Sequence, residues 1–325
     1  MRAMLCNEFT WPDGLAMGEI APPVPADDEV LIDVEVASVS FMDYLMASGG
    51  YQMRPELPYA PGTDACGIIR TIGKGVTQFA PGDRVTCANW HGGFAEQMIT
   101  KEWKCVHVPD GVEAAAAATV LHNYGTAYYA LIVRDQLKAG ETIFITGAAG
   151  GVGLATVDLA RKLGGRIIAG VGSDDKAAIV KRYGAEAVVN YNTEDLSTRI
   201  KELTGGQGVD VCFDNVGGEV FQKMTRLMNW AGRLMPIGFT SGDIPTVPMN
   251  LPLVKNYSIV GLFSGAWFEK FRDEGRQANN AIMAWLAAGE INPHIDRIMP
   301  LEQAAEAMQL IADRKTQGRI VLQVT

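Results

Sequence analysis

The stretch TIFITGAAGGVGLATVDLA, residues 142–160, most constrains the fold. A segment apolar at nearly every position runs into a cluster of glycines. The glycines open a segment with Leu154, Val157 and Leu163 at helical spacing. A strand without polar alternation has to be covered on both faces. The same rhythm repeats downstream: RIIAGV, a helix over 173–183, AEAVVN, a helix over 194–203, VDVCFD, a helix over 219–230, then RLMPIG and SIVGLF. Apolar strands alternating with helices predict an α/β fold with a doubly wound parallel sheet.

Aligned on its last glycine, the turn reads Ala148-x-Gly150-x-x-Gly153, with Gly151 also present. A glycine at 150 lets backbone approach a pyrophosphate, and one at 153 lets helix pack on strand. The helix start offers free N–H groups and the positive end of the helix dipole. A glycine-rich turn alone is weak evidence, but here it opens a six-strand alternation, which is the context a dinucleotide site requires. The second strand, RIIAGV, ends in Gly172-Ser173-Asp174-Asp175-Lys176. Gly172 leaves room for a 2′-phosphate, Ser173 donates to it and Lys176 neutralises it, which favours NADPH. Asp174 and Asp175 complicate that choice. Behind Ser173 as N-cap they would fall in the first helical turn, where acids complement the dipole.

The first hundred or so residues follow a different pattern. EVLIDVEVASVS, residues 29–40, alternates Ile32, Val34 and Val36 with Asp33 and Glu35, the period of a half-buried strand. ACGIIRTIG, GDRVTCAN and FAEQMIT are further short strands, separated by Pro58, Pro61-Gly62, Gly73-Lys74-Gly75 and Pro81-Gly82-Asp83. They predict a small barrel-like β domain. After Gly265 come two helical stretches and a last strand, GRIVLQV, expected to return to that first domain.

With 325 residues the chain has room for two cores. Its net charge of −9 and lack of a basic run argue against nucleic acid or anionic lipid as a partner. MRAMLCNEF has no apolar core of a targeting peptide, and the run over 114–121 is too short to span a bilayer. A cytoplasmic protein is expected. Cys6, Cys66, Cys87, Cys105 and Cys212 form no C-x-x-C pair and read as buried, reduced thiols.

The motifs PGTDACGIIRTIGKGV, GDRV, GGFAEQ, NYGTAYYAL, GAAGGVG, NYNTEDL, GVDVCFDNVGG, GRLMPIGFTSG and GRIVL run in order almost end to end. With them the chain resembles the zinc-free quinone oxidoreductase branch, the zeta-crystallin-like branch, of the medium-chain dehydrogenase/reductase superfamily. The resemblance implies a GroES-like β-barrel catalytic domain over 1–118, completed by 265–325, and a Rossmann domain over 119–264. It also implies NADPH as hydride donor, held by Thr126, Gly150, Gly151, Val152, Ser173, Lys176, Tyr191, Asn215, Gly238, Phe239, Ser241, Leu262, Phe263 and Gly318, beside the Gly172 already named. Tyr191 reads equally well as a half-buried aromatic at a strand end.

Zinc-dependent members carry a histidine and a glutamate where this chain has Thr63 and Asp64, and often a four-cysteine lobe, which is missing here. Catalytic zinc sites use three protein ligands. His91, His107, His122 and His294 are far apart in sequence, and His91 with Glu96 reads as part of a loop. No metal is therefore expected. Without a Lewis acid to polarise an alcohol, the acceptor must already be electrophilic: a quinone, or a C=C bond conjugated to a carbonyl. The protein then has only to orient the rings and place donors where negative charge builds on the carbonyl oxygen. Within SFMDYLMASGGYQ, residues 40–52, Tyr51 is the expected donor. Ser40, where the branch often has asparagine, is a weaker one, and Asp43 is expected to brace the loop. Tyr124 is a second candidate phenol. For either tyrosine, plain pocket lining is as good a reading.

The expected activity is an NADPH-dependent quinone oxidoreductase. An NADPH-dependent enone, enal or enoyl-thioester reductase is the alternative, and a nucleotide-binding protein with little catalysis the remote one. A homodimer is expected through residues 256–263, read as the last strand of the sheet with an apolar edge.

Overall fold

The computed structural model describes residues 1–325, which divide into two units: Met1–His122 with Phe271–Thr325, and Asn123–Lys270. In the first unit β1 (Arg2–Cys6) and β2 (Leu15–Glu19) form an antiparallel ribbon. β3 (Glu29–Val39) follows, then α1 (Phe41–Ala47), β4 (Asp64–Ile72), β5 (Arg84–Ala88), β6 (Gln97–Lys101) and β7 (Cys105–His107). The long strand β3 organises this unit. One edge pairs with β4 throughout, while the other pairs with β6 near its start and with the last strand of the chain near its end.

The alternation expected in β3 holds in burial from Ile32 to Val36, with Asp33 and Glu35 less buried between them. A register shift between Val34 and Val36 changes the parity. Val30, Ile32 and Val34 join the core before the shift, and Ala37 and Val39 join it afterwards. One extra residue on a strand sends every later side chain to the opposite face.

Helix α2 (Ala114–Tyr128) carries the chain into the second unit. There β8 (Thr142–Ile145), α3 (Gly151–Lys162), β9 (Arg166–Val171), α4 (Ala177–Arg182), β10 (Ala187–Asn190), α5 (Leu196–Leu203) and β11 (Val209–Asp214) follow in turn. α6 (Gly218–Met224), β12 (Met228–Pro236), α7 (Asn250–Lys255), β13 (Ser258–Ile259) and α8 (Ser264–Lys270) complete it. The strands form one parallel sheet in the order β10-β9-β8-β11-β12-β13. The chain winds outward from β8 to β10, returns beside β8 as β11, and winds the other way. That reversal is the topological switch point of a Rossmann fold.

Two elements differ from expectation. The helix expected over 219–230 stops at Met224, and Trp230 lies within β12. Val209 donates its N–H to the Leu227 carbonyl, and the strand irregularity is accommodated by Ala231 in the left-handed region at φ 59°. Long-range pairing with β11 here overrides a helical run of apolar residues. The edge strand expected over 256–263 keeps ladder pairing only at Ser258 and Ile259. Its neighbour β12 ends at Pro236, which has no N–H to continue a ladder.

The chain then returns to the first unit with α9 (Arg272–Ala287), β14 (Ile295–Pro300), α10 (Ala304–Ala312) and β15 (Arg319–Gln323). β15 pairs antiparallel with β3, so the closing strand completes the β-rich unit. All five cysteines are free and buried, and burial pushes the Cys66 and Cys87 thiols up to about 12. No helix is long and apolar enough to cross a membrane.

Candidate functional site

In the second unit the residues expected to hold a dinucleotide gather at the carboxyl ends of the parallel strands. Gly150, Gly151 and Val152 follow β8, Gly172, Ser173 and Lys176 follow β9, and Tyr191 follows β10. Asn215 follows β11, Gly238, Phe239 and Ser241 follow β12, and Leu262 and Phe263 follow β13. Ligands of doubly wound sheets bind at this end, at the switch point, which here lies between β8 and β11.

That junction is tied by side chains. Thr146 Oγ1 donates to Asp214 Oδ1 at 2.6 Å and accepts from the Asn215 N–H at 2.8 Å. Asn215 Nδ2 donates to the Thr146 carbonyl at 2.8 Å, and the Gly217 N–H donates to Asp214 Oδ2 at 2.8 Å. Asp214 is fully buried, and its carboxyl is raised above the usual range by desolvation, partly offset by the Thr146 hydroxyl. Asn215 was legible in the sequence, whereas Thr146 and Asp214 were not singled out. The available signal was an acid ending an otherwise apolar strand, VDVCFD.

α3 begins at Gly151 with Gly150 as N-cap, and no side chain caps it. Its first N–H groups therefore have no intrahelical or capping partner. A Cβ at Gly153 would lie 2.2 Å from the Gly147 carbonyl oxygen, so only glycine fits there. At Gly150 the nearest atom to an added Cβ is 3.4 Å away and φ is −79°. The chain itself barely requires glycine at 150, whereas a pyrophosphate seated on the helix start would fill that space. An added Cβ at Gly172 would lie 3.5 Å from the Tyr191 hydroxyl, so the ends of β9 and β10 meet around this glycine. Ser173 takes the N-cap position but makes no capping bond, and the helix opens as a 3-10 turn over Asp174–Lys176. Thr126 of α2 pairs with Ser264 at 3.1 Å.

Two expected site residues have a part in the fold itself. Gly318 lies in the first unit with φ 73°, and a Cβ there would fall 2.3 Å from the His294 carbonyl oxygen. Close backbone approach accounts for this glycine without a cofactor. Tyr124 is buried and donates its phenolic proton to Asp158 at 2.8 Å, so its expected donor role is already taken within the fold.

In the first unit Ser40 is the N-cap of α1. Its hydroxyl donates to Asp43 Oδ2 at 2.7 Å and accepts from the Asp43 N–H. Asp43 also accepts from the Ser40 and Gly62 N–H groups, so it braces the loop as expected. A serine hydroxyl has one proton, and here it is donated to Asp43 Oδ2, which runs against the expectation that Ser40 donates to a substrate. Tyr51 is half-buried just beyond α1, and burial raises its phenol above the ordinary value.

Thr63 and Asp64 lie in a buried polar cluster rather than a ligand set. Asp64 Oδ2 accepts from Ser38 and Thr63 and lies 3.8 Å from Arg319 Nη2, while its Oδ1 has no partner. Desolvation pushes the Asp64 carboxyl up to about 7 against the pull of Arg319, and the Asp43 charge adds to the rise. Half-buried His122 is pushed down to about 3 by desolvation, with Arg319 contributing. Glu96 is engaged by Arg2 at 2.7 Å, and His91 stacks edge-on to Tyr59. No three His, Cys, Asp or Glu side chains come together as metal ligands.

A β-rich unit of this topology joined to a Rossmann unit defines a medium-chain dehydrogenase/reductase. Residues 26–110 match the family described as alcohol dehydrogenase GroES-like domain, and residues 151–280 match zinc-binding dehydrogenase. The chain is 35% identical to the quinone oxidoreductase-like protein 2 homolog of Nematostella vectensis over 324 residues, 99% of this chain and 88% of that one. It is 33% identical to the quinone oxidoreductase of Homo sapiens over 325 residues, 99% of this chain and 97% of that one. The solved structure of Escherichia coli quinone oxidoreductase complexed with NADPH matches with a TM-score of 0.94 at 29% identity, covering 100% of both chains. The chain belongs to the zinc-free quinone oxidoreductase branch of the superfamily.

Asp64 gives a pH prediction. Its carboxyl is raised in the fold from 3.8 to about 7, so the folded state holds the proton more tightly than the unfolded chain. The stabilisation is complete below 3.8 and is lost as pH rises through about 7. Urea unfolding from pH 4 to 8 should therefore show wild type losing stability relative to Asp64→Asn, by on the order of 2–4 kcal/mol. A flat difference would mean Asp64 stays ionised throughout.

Proposed function

We propose that the protein is an NADPH-dependent quinone oxidoreductase that moves hydride to a quinone without a metal. The observation carrying this reading is the end-to-end similarity to quinone oxidoreductases, of which the Escherichia coli protein is complexed with NADPH. The strand-end geometry supports it. In this reading the uncapped N–H groups of Gly151 and Val152, with Gly150 leaving space, receive the pyrophosphate. Ser173, Lys176 and Tyr191 around Gly172 receive the 2′-phosphate. Thr126, Asn215, Gly238, Phe239, Ser241, Leu262 and Phe263 complete the nucleotide site.

NADPH, when bound, supplies the hydride. The chain's own work is to orient an acceptor that is already electron-poor and to stabilise the charge that grows on its carbonyl oxygen. Tyr51 is the proposed donor to that oxygen. No group of the chain occupies its hydroxyl, whereas Ser40 and Tyr124 are committed to Asp43 and Asp158. A raised phenol pKa keeps the proton in place at neutral pH, which suits a hydrogen-bond donor.

NADPH oxidation should proceed with benzoquinones faster than with crotonyl thioesters or simple enones. Tyr51→Phe should lower kcat roughly tenfold or more while leaving KM for NADPH unchanged. Faster turnover of the thioesters or enones would move the reading to a C=C reductase. Absence of NADPH oxidation with any acceptor would leave only a nucleotide-binding role.

We also propose a homodimer through the sheet edge at 256–263. β13 ends the sheet, with Ile259 37% and Phe263 50% exposed, and an unpaired apolar edge favours strand partners. Light scattering should give twice the chain mass, and a monomeric mass at micromolar concentration contradicts the pairing.

A further inference from the structure

Asp174 and Asp175 sit in the turn proposed to receive the 2′-phosphate, where carboxylates repel phosphate and favour a ribose hydroxyl. The structure restrains one of them. Asn190, the last residue of β10 and only 5% exposed, donates from Nδ2 to Asp174 Oδ1 at 2.7 Å. Asn190 is itself fixed at two further points. Its backbone N–H donates to Glu194 Oε1 at 2.7 Å, and its Oδ1 accepts from the Asn192 N–H at 3.1 Å. Asn192 Nδ2 donates in turn to the Gly172 carbonyl at 2.8 Å. The same short network therefore fastens the Asp174 carboxylate to the end of β10 and holds the backbone of Gly172.

We propose that Asn190 is a specificity-determining positioning residue: by fastening the Asp174 carboxylate to the end of β10, it keeps that charge from opposing the 2′-phosphate of NADPH. The inference rests on the reading that this turn receives NADPH. The amide has only one orientation that serves both partners, with its oxygen toward the Asn192 N–H and its nitrogen toward the carboxylate. It occupies one Asp174 carboxylate oxygen, beside Ser173, Asp175 and Lys176 as the other polar groups of the turn. Without the amide, Asp174 is held only by its own exposed turn. It is then available both to repel a phosphate and to bond a free ribose hydroxyl.

The test is a fluorescence titration of wild type, Asn190→Ala, Asp174→Ala and the double variant with NADPH and with NADH. Asn190→Ala should weaken NADPH binding roughly five- to twentyfold while leaving NADH binding unchanged or tighter. The double variant should recover NADPH affinity to within about threefold of wild type, because the one carboxylate that Asn190 fastens is gone. An equal loss for both nucleotides, or no recovery in the double variant, overturns the proposal and makes Asn190 a shaper of the 190–192 turn alone. Should the alanine variant not fold, Asn190→Ser takes its place, since its hydroxyl can still accept from Asn192. Failure of wild type to bind either nucleotide refutes the cofactor reading instead, so the two failures are distinguishable.

Discussion

The nucleotide-binding unit depends on the hydrogen bond from Thr146 to Asp214. The β8–β11 ladder ends at Ile145 and Phe213, at the place where the winding reverses. Helical crossovers leave that point in opposite directions, and just past the ladder the Thr146 N–H still donates to the Phe213 carbonyl at 3.0 Å. The buried Asp214 carboxylate gathers the Thr146 hydroxyl and the Gly217 N–H, and Asn215 closes the loop back onto Thr146. A buried carboxylate is costly unless its lone pairs are met, so these partners are fixed in place. The glycine turn after β8 and the loop after β11 are thereby held as two walls of one crevice.

The β-rich unit shows what replaces a ligand set when its residues change. Thr63 and Asp64 remain buried where zinc relatives have metal ligands, but their partners are Ser38, Ser40 and Arg319. The charge balance there comes from a guanidinium, which remains protonated at any physiological pH. This cluster of hydroxyls, carboxylates and one arginine is buried and braces the loop. The proposed activity therefore falls on acceptors that need no further polarisation.

Much of this was legible in the sequence. Continuous apolar strands gave the parallel sheet, and the glycines after TIFIT fixed where it turns. The closing strand, expected to return to the first domain, pairs with β3. Elements decided by distant partners were not legible. The helical spacing of Val220, Phe221, Met224 and Leu227 hides the strand that β11 imposes from Met228 onward. The parity change in β3 depends on its pairing with β4 and leaves no mark on the alternation itself. Hydroxyl commitments were equally hidden: Ser40 caps α1 and Tyr124 serves Asp158, and neither partner is fixed by motif. The Asn190–Asp174 contact joins residues sixteen apart across two strand ends.

The proposed function requires a dinucleotide in the crevice between β8 and β11. Amide hydrogen exchange with and without NADPH tests it most directly. NADPH should slow exchange at residues 147–153 and 215–217 and should protect the turn at 172–176 more than NADH does. Protection confined to other segments, with these amides unchanged at saturating NADPH, would contradict it.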